Sequence, residues 1–160
     1  LGIPNSSKLT DLIDGELKTF TVGESIAVTQ LKHCLTDIIE NSTEFEDSKV
    51  GQKLAQTLYV GFTRDNDYVN TALVNEQVDP AHYQQLAEDY GYISAEIKAA
   101  YVNGTELSTI TGPNKLLQIR TKASKNAYGE YTPLCYNGVE LKDKGMAFYL
   151  LAGFGKQVIK

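Results

Sequence analysis

The spacing of hydrophobic residues changes partway along this chain, and that change constrains the fold more than any other feature of the sequence. In two segments before residue 92, apolar residues recur at the three- and four-residue intervals of a helix. From Tyr92 onward they alternate with polar residues, which is the period of a half-buried strand. A helix-containing first half and a turn-rich second half predict an α+β fold, in which helices cover one face of an antiparallel β-sheet or sandwich.

The first predicted helix covers about residues 22–40. Thr21 and Glu24 precede its apolar residues at the spacing of a capping box, which satisfies free backbone N–H groups at the start of a helix. On this helix Cys34 falls at the flank of the apolar stripe, whereas His33 points away from it. The two side chains diverge by about 100°, so we do not expect them to form a catalytic pair.

The second predicted helix covers residues 80–90. Asp79 is placed to cap its first turn, and Pro80 suits the first helical position because its missing N–H is not needed there. Gly91 is placed to end the helix in a left-handed conformation. These signals together predict a short helix with defined ends.

Turn signals divide the rest of the chain into strands. Residues rich in β-branched and aromatic side chains lie on either side of Asp65-Asn66, which predicts a hairpin near residues 57–74. Most of residues 92–160 are expected to form the sheet, with a hydrophobic strand at Met146–Leu151 and a last short strand at residues 157–159. The turns expected within it are Asn103-Gly104, Thr111–Asn114 and Asn137-Gly138.

Length and composition predict one folded domain over residues 1–160, with a polar N-terminal arm at residues 1–7. The chain has 160 residues, of which 42% are hydrophobic and 22% charged, values typical of globular proteins. Because it begins with Leu1 and not methionine, we expect it to be processed or excised from a longer chain. Its longest apolar run, Met146 to Ala152, is much shorter than the roughly 20 residues that cross a bilayer, so no membrane span is expected.

Charge is divided along the chain. Residues 1–90 contain 6 basic and 15 acidic side chains, a net −9, and residues 91–160 contain 9 and 5, a net +4. Either the halves pack together and the difference cancels, or the protein has unlike faces through which it self-associates. The candidate interaction residues are Glu44, Glu46 and Asp47 on the acidic side, and Lys115, Arg120, Lys122 and Lys125 on the basic side. A pI of about 5.0 argues against nucleic acid as a partner.

The two cysteines leave two alternatives open. Cys34 and Cys135 form one long-loop disulfide, or they are two inert buried thiols. Cys135 lies in an apolar strand context, where a thiol is usually unreactive. The fold could still bring His82 to Cys135 as a base, because residues far apart in the sequence can meet in three dimensions. The residues show no spacing typical of a metal site, a cofactor loop or a catalytic group, so none is assigned.

Three functions of different classes follow from these observations. The favoured one is a non-catalytic structural or protein-interaction subunit of a larger assembly, such as a virion, a phage particle or a surface polymer, with other protein subunits as partners. A virion or extracellular location is favoured over a cytoplasmic one. The alternative is a small-ligand or carbohydrate-binding module that uses Tyr and Asn side chains on an uncovered sheet face. A thiol-dependent enzyme with Cys135 and His82 is the third.

Overall fold

A computed structural model describes the chain at residues 15–75, 77–122, 127–130, 134–141 and 145–158. Over these residues the protein is α+β, as the sequence predicts, with nine strands in three sheets and three α-helices. The helices are α1 (Lys49–Leu54), α2 (Pro80–Asn103) and α3 (Ala152–Val158). A hydrophobic cluster connects side chains from Phe20 to Phe154. The predicted N-terminal arm, residues 1–7, lies outside the described residues.

Three strands form the first sheet. β1 is Glu16–Thr21, β3 is Gln56–Phe62 and β4 is Tyr68–Asn75, and they lie in the order β1-β3-β4. β3 and β4 pair antiparallel, which confirms the hairpin predicted near residues 57–74. β1 runs parallel to β3, so this sheet is mixed, whereas the sequence predicts antiparallel pairing alone. Parallel neighbours need a long connection, and residues 22–55 provide it.

The second sheet is antiparallel throughout, in the order β2-β9-β6-β5. Its strands are β2 (Ile26–Gln30), β5 (Ile110–Thr111), β6 (Leu117–Thr121) and β9 (Met146–Leu150). β9 confirms the hydrophobic strand predicted at Met146–Leu151. A separate hairpin consists of β7 (Leu134–Tyr136) and β8 (Val139–Leu141), and it turns at Asn137-Gly138 as predicted. Both turn residues have positive φ, 49° and 76°.

The first predicted helix, residues 22–40, is wrong over its first part. β2 occupies the positions before residue 31, and helical backbone is confined to a 3₁₀ turn at Leu31–His33 and a π-helical turn at Thr36–Glu40. Ile26 and Val28 are buried and alternate with less buried neighbours, which is the strand period. The same residues also fit helical spacing. Pairing with β9, which is distant in the sequence, decides in favour of a strand.

The second predicted helix starts where expected and is much longer. The Asp79 side chain accepts a hydrogen bond from the backbone N–H of His82 (3.3 Å), as an N-cap should. Gly91 does not end α2. The helix continues to Gly104, which has the left-handed conformation of a C-terminal cap, with φ 66°.

The strand predicted from residue 92 is therefore wrong, because residues 92–103 are the second half of α2. Ile93 and Ile97 are buried, whereas Ala95 and Ala99 are exposed, so the burial follows a four-residue interval. Alternating Ile and Ala satisfy both the strand and the helix period. The high helix propensity of Ala and packing against β5 and β6 favour the helix.

The C-terminal segment is also helical, whereas a short strand was predicted at residues 157–159. α3 covers Ala152–Val158, and residue 159 lies outside the described residues. Gly155 allows α3 to approach the first sheet closely. A Cβ at this position would lie 2.7 Å from the ring of Phe20. The glycines here therefore serve helix packing and do not interrupt a strand.

Asp89 joins α2 to the connection between β5 and β6. Its fully buried carboxylate accepts hydrogen bonds from the backbone N–H groups of Asn114 (2.7 Å), Leu116 (2.9 Å) and Leu117 (3.0 Å). Gly112 is required in this turn because a Cβ there would lie 2.2 Å from the Asp89 carboxyl carbon. The predicted turn between β5 and β6 thus forms around a side chain of α2.

Candidate functional site

β4 lies at an edge of the first sheet, where β3 is its only partner strand among the described residues. Three of its apolar side chains are exposed: Tyr68 by 60%, Val69 by 43% and Leu73 by 43%. None of its eight residues, YVNTALVN, is charged or a proline. Proteins usually protect an open edge with charges, prolines or bulges, because such an edge pairs readily with another strand. β4 therefore stands out as a surface for strand pairing.

The first three residues of β4 are less suited to pairing with another strand than the rest of the edge. The register against β3 shifts near the start of β4, and Val69 forms a bulge there. The backbone N–H of Thr71 donates to the side-chain oxygen of Asn70 (2.8 Å). Because hydrogen bonding alternates along an antiparallel pair, Leu73, two residues further, also directs its backbone groups away from β3. Leu73 thus combines an exposed side chain with backbone groups at the open edge.

The acidic residues predicted as an interaction surface are exposed and lie together: Glu44, Glu46 and Asp47. They belong to a 3₁₀ turn at Phe45–Asp47 and the residue before it. The buried ring of Phe45 anchors this turn against α2, with ring centres 5.3 Å from Tyr83 and 5.5 Å from Tyr90. The structure therefore presents these carboxylates as one group.

The basic residues predicted as the complementary surface are spread along β6. Lys115 precedes this five-residue strand and Lys122 follows it, so the length of the strand separates the two residues along the backbone. The guanidinium carbon of Arg120 lies 4.1 Å from the centre of the Tyr149 ring, a cation–π contact. Lys125 lies outside the described residues. Lys115 and Lys122 thus flank the two ends of β6, and Arg120 near its end is held against Tyr149.

A second basic group, which reasoning from the sequence missed, surrounds His33. Partial burial lowers the pKa of His33, and three ammonium groups lower it further: Lys32, Lys49 and Lys53. Lys18 and Lys53 both lie within ion-pair distance of the buried Glu16 carboxylate, at 3.5 and 3.8 Å. Lys18, Lys32 and the two lysines of α1 come from three separate parts of the sequence, so only the folded chain brings them together. Positive charge is therefore present in the acidic half of the chain.

The two cysteines are free thiols in different environments. Cys34 is buried, as predicted. Burial raises the pKa of Cys34 to about 12, and its Sγ lies 3.6 Å from the backbone oxygen of Gln30. Cys135 is exposed and free, so it fits neither alternative that the sequence leaves open, a disulfide with Cys34 or an inert buried thiol. It lies in the two-stranded β7–β8 sheet opposite Glu140, and this small hairpin does not bury it.

His82, the candidate base for Cys135, is engaged elsewhere. Its Nδ1 contacts the Asp79 carboxylate, and its Nε2 contacts the side-chain oxygen of Gln157. Its ring packs edge-on against Phe154, with ring centres 5.9 Å apart. His82 therefore joins the first turn of α2 to α3, and neither ring nitrogen is open to a thiol.

A metal-ligating group and a membrane-spanning helix each place requirements on the described part of the chain. No three His, Cys, Asp or Glu side chains there gather in a way that would hold a metal ion. No helix there has both the length and the apolar character needed to span a bilayer. Comparison with known proteins adds no assignment: no family model matches the chain, and no curated protein matches it.

Proposed function

We propose that this chain is a non-catalytic interaction subunit that assembles with copies of itself by pairing along β4. The observation that carries this proposal is an uncharged edge strand with exposed apolar side chains. In strand addition, backbone hydrogen bonds supply affinity, and the alternating side chains supply specificity. The pair formed in this way would be the building unit of a larger assembly, such as a virion, a phage particle or a surface polymer, in which further contacts join the pairs.

A second copy of the chain is the partner that best fits the chemistry of β4. The chain has a net charge of −5, so copies repel each other, and contact is easiest where charge is absent. β4 is free of charge along its whole length. Antiparallel pairing about a two-fold axis uses the same surface on both copies, so no second complementary surface is needed.

Attraction between unlike faces is the alternative mode of self-association. It would join the acidic turn at residues 44–47 to the basic residues along β6. The spread of those residues, the Arg120–Tyr149 contact and the lysines around His33 all favour the uncharged edge instead. Salt distinguishes the two modes, because it weakens contacts between exposed charges and leaves apolar strand pairing intact.

The test compares the native chain with two variants by sedimentation velocity across micromolar concentrations. Leu73→Lys places a charge in the open part of β4, and we expect it to weaken self-association at least about tenfold, or about 1.4 kcal/mol. Val102→Lys is the matched control, because Val102 is 71% exposed near the C-terminal end of α2. We expect this control to associate like the native chain.

Two results would overturn the proposal. One is a native chain that stays monomeric at both low and high salt, and the other is an equal effect of the two substitutions. Association that disappears as salt is added, and that survives Leu73→Lys, would assign the contact to the unlike charges.

A further inference from the structure

The acidic turn at residues 44–47 continues directly into α1, which carries two lysines. Ser48 separates the turn from the helix: its side chain accepts a hydrogen bond from the backbone N–H of Gly51 (2.9 Å) and caps the first turn of α1. Lys49 and Lys53 follow at a spacing of four residues, which places them on the same side of the helix. Carboxylates and ammonium groups are therefore neighbours on one part of the surface.

The turn that follows β2 adds Lys32 and His33 to this basic part of the surface. Both side chains are exposed. Partial burial lowers the pKa of His33, and the charges of the neighbouring lysines lower it further, so positive charge from three lysines reaches the imidazole. These three residues form what we call the lysine group: Lys32, Lys49 and Lys53.

Asp37 connects the acidic turn to the lysine group. Its carboxylate accepts a hydrogen bond from the backbone N–H of Lys49 (3.0 Å), and it lines a cavity together with Glu44. Even so, no ion pair joins the acidic turn to the lysine group in the described part of the chain. Among these residues the lysine group makes its ion pair with the buried Glu16, 3.8 Å from Lys53. The acidic turn and the rest of the lysine group are therefore open to a second molecule.

We propose that this surface is a second contact between copies of the chain, in which the acidic turn of each copy lies against the lysine group of the other. A surface with adjoining groups of opposite sign is complementary to itself after rotation by half a turn, so a two-fold axis forms two such contacts at once. Each contact brings three carboxylates to three ammonium groups, so this surface adds no repulsion to that from the net charge of −5. This match of signs selects a second copy as the partner.

The second contact joins pairs of copies that β4 has already formed. Pairing about one two-fold axis closes after two copies, whereas two different two-fold contacts on each copy produce an extended assembly. An exposed ion pair contributes only about 0.2–1 kcal/mol, so the contact is weak alone and is strengthened where copies are already linked. The extended assembly rests on the proposed function. The contact itself does not depend on pairing along β4.

The test reverses the two charged groups separately, in chains that also carry Leu73→Lys so that pairing along β4 does not contribute. The acid-reversed variant carries Glu46→Lys and Asp47→Lys, and the base-reversed variant carries Lys32→Glu and Lys49→Glu. At low salt we expect each variant to self-associate at least about tenfold more weakly than the chain with Leu73→Lys alone, because like charges then face each other across the axis.

A mixture of the two reversed variants should associate again, because opposite charges then meet in both contacts. The ¹⁵N-labelled acid-reversed variant is titrated with the unlabelled base-reversed variant and followed by ¹H–¹⁵N correlation NMR. We expect saturable shifts of the amide signals of Lys49 and Lys53 at low salt, and their loss at high salt.

The matched control for this titration carries Lys115→Glu and Lys122→Glu. It has the same net charge as the base-reversed variant, but its substitutions lie at the two ends of β6. We expect it to bind the labelled acid-reversed variant at least about tenfold more weakly, because its lysine group is unchanged and repels the reversed turn.

Three results would overturn the second contact: a mixture that gives no saturable shifts, shifts that persist at high salt, and equal binding of the control. Circular dichroism checks that each variant is folded, and Glu44→Lys with Glu46→Lys replaces the acid-reversed pair if that variant is not. Failure of this contact leaves pairing along β4 standing, because that pairing persists at high salt and is weakened by Leu73→Lys.

Discussion

At the scale of the residue, the buried carboxylate of Asp89 holds the backbone of a connection that is more than 20 residues away in the sequence. It lies on α2 and receives three backbone N–H groups from the connection between β5 and β6. An aspartate within a helix is usually exposed, so nothing in the sequence marks Asp89 as buried. Its role becomes visible only when the turn that contains Gly112 is placed against α2. Long-range packing, and not a local pattern, creates this site.

We expect Asp89→Asn to lower the free energy of unfolding by about 2–3 kcal/mol. The asparagine side chain keeps one oxygen that accepts hydrogen bonds. Its N–H₂ group replaces the second oxygen and faces backbone N–H groups that then have no acceptor. Urea unfolding of the variant and the native chain measures the difference. Glu88→Gln is the control: Glu88 is exposed and accepts from the Asn114 side chain (2.9 Å), so its effect should stay within about 0.5 kcal/mol. Equal losses in both variants would contradict the role given to Asp89.

At the scale of the element, local signals predict starts and turns well. The helix start at Asp79 and the turn at Asn137-Gly138 are confirmed, because both depend on the chemistry of adjacent residues. Residues 26–30 and 92–103 are assigned wrongly, because their apolar residues fit both the strand and the helix period. Which period applies depends on partners far away in the sequence, namely β9 for the first segment and the second sheet for the other.

Substitution by alanine should change the free energy of unfolding in opposite directions at Gly91, inside α2, and at Gly112, which packs against α2. Gly91→Ala should raise the free energy of unfolding by about 1 kcal/mol, because Gly91 lies inside a helix and an added Cβ meets open space. Gly112→Ala should lower it, because the new Cβ would collide with the Asp89 side chain. Urea unfolding followed by circular dichroism measures both. A destabilising Gly91→Ala would contradict the continuous helix.

At the scale of the whole molecule, the acidic and basic parts of the sequence do not correspond simply to an acidic and a basic face of the folded protein. The carboxylates at residues 44–47 lie together because they are neighbours in the chain. The lysines around His33 lie together only because α1 packs against β2, the strand that ends just before the turn at Leu31–His33. For the same reason, a strand at β4 is predictable from the sequence, whereas its position at an edge is not. β4 is at the edge because β1 pairs with the other side of β3, and the sequence does not indicate that side.

Burial of Cys34 links global stability to pH. Folding raises the pKa of this thiol from 9.0 to about 12, so the folded state holds the proton more tightly. The resulting stability is complete below about pH 9 and is lost as the pH rises toward 12, by about 1.4 kcal/mol per pH unit. Urea unfolding between about pH 8 and about pH 9.5 should show the onset of this decline, because most tyrosines of the unfolded chain still hold their protons in that range. In Cys34→Ala the free energy of unfolding should change much less over this pH range. An unchanged slope in this variant would show that Cys34 is not the cause of the decline.

The pairing of β2 with β9 has a consequence for how the protein is made. β2 ends at Gln30, whereas its partner strand begins at Met146. During translation the first sheet is fully synthesised once residue 75 has left the ribosome, and it can form early. Ile26 and Val28 must wait for a partner strand that begins only at Met146. For most of that time the nascent chain carries an unprotected apolar strand, which is the kind of segment that chaperones bind and that drives misassembly when they are absent.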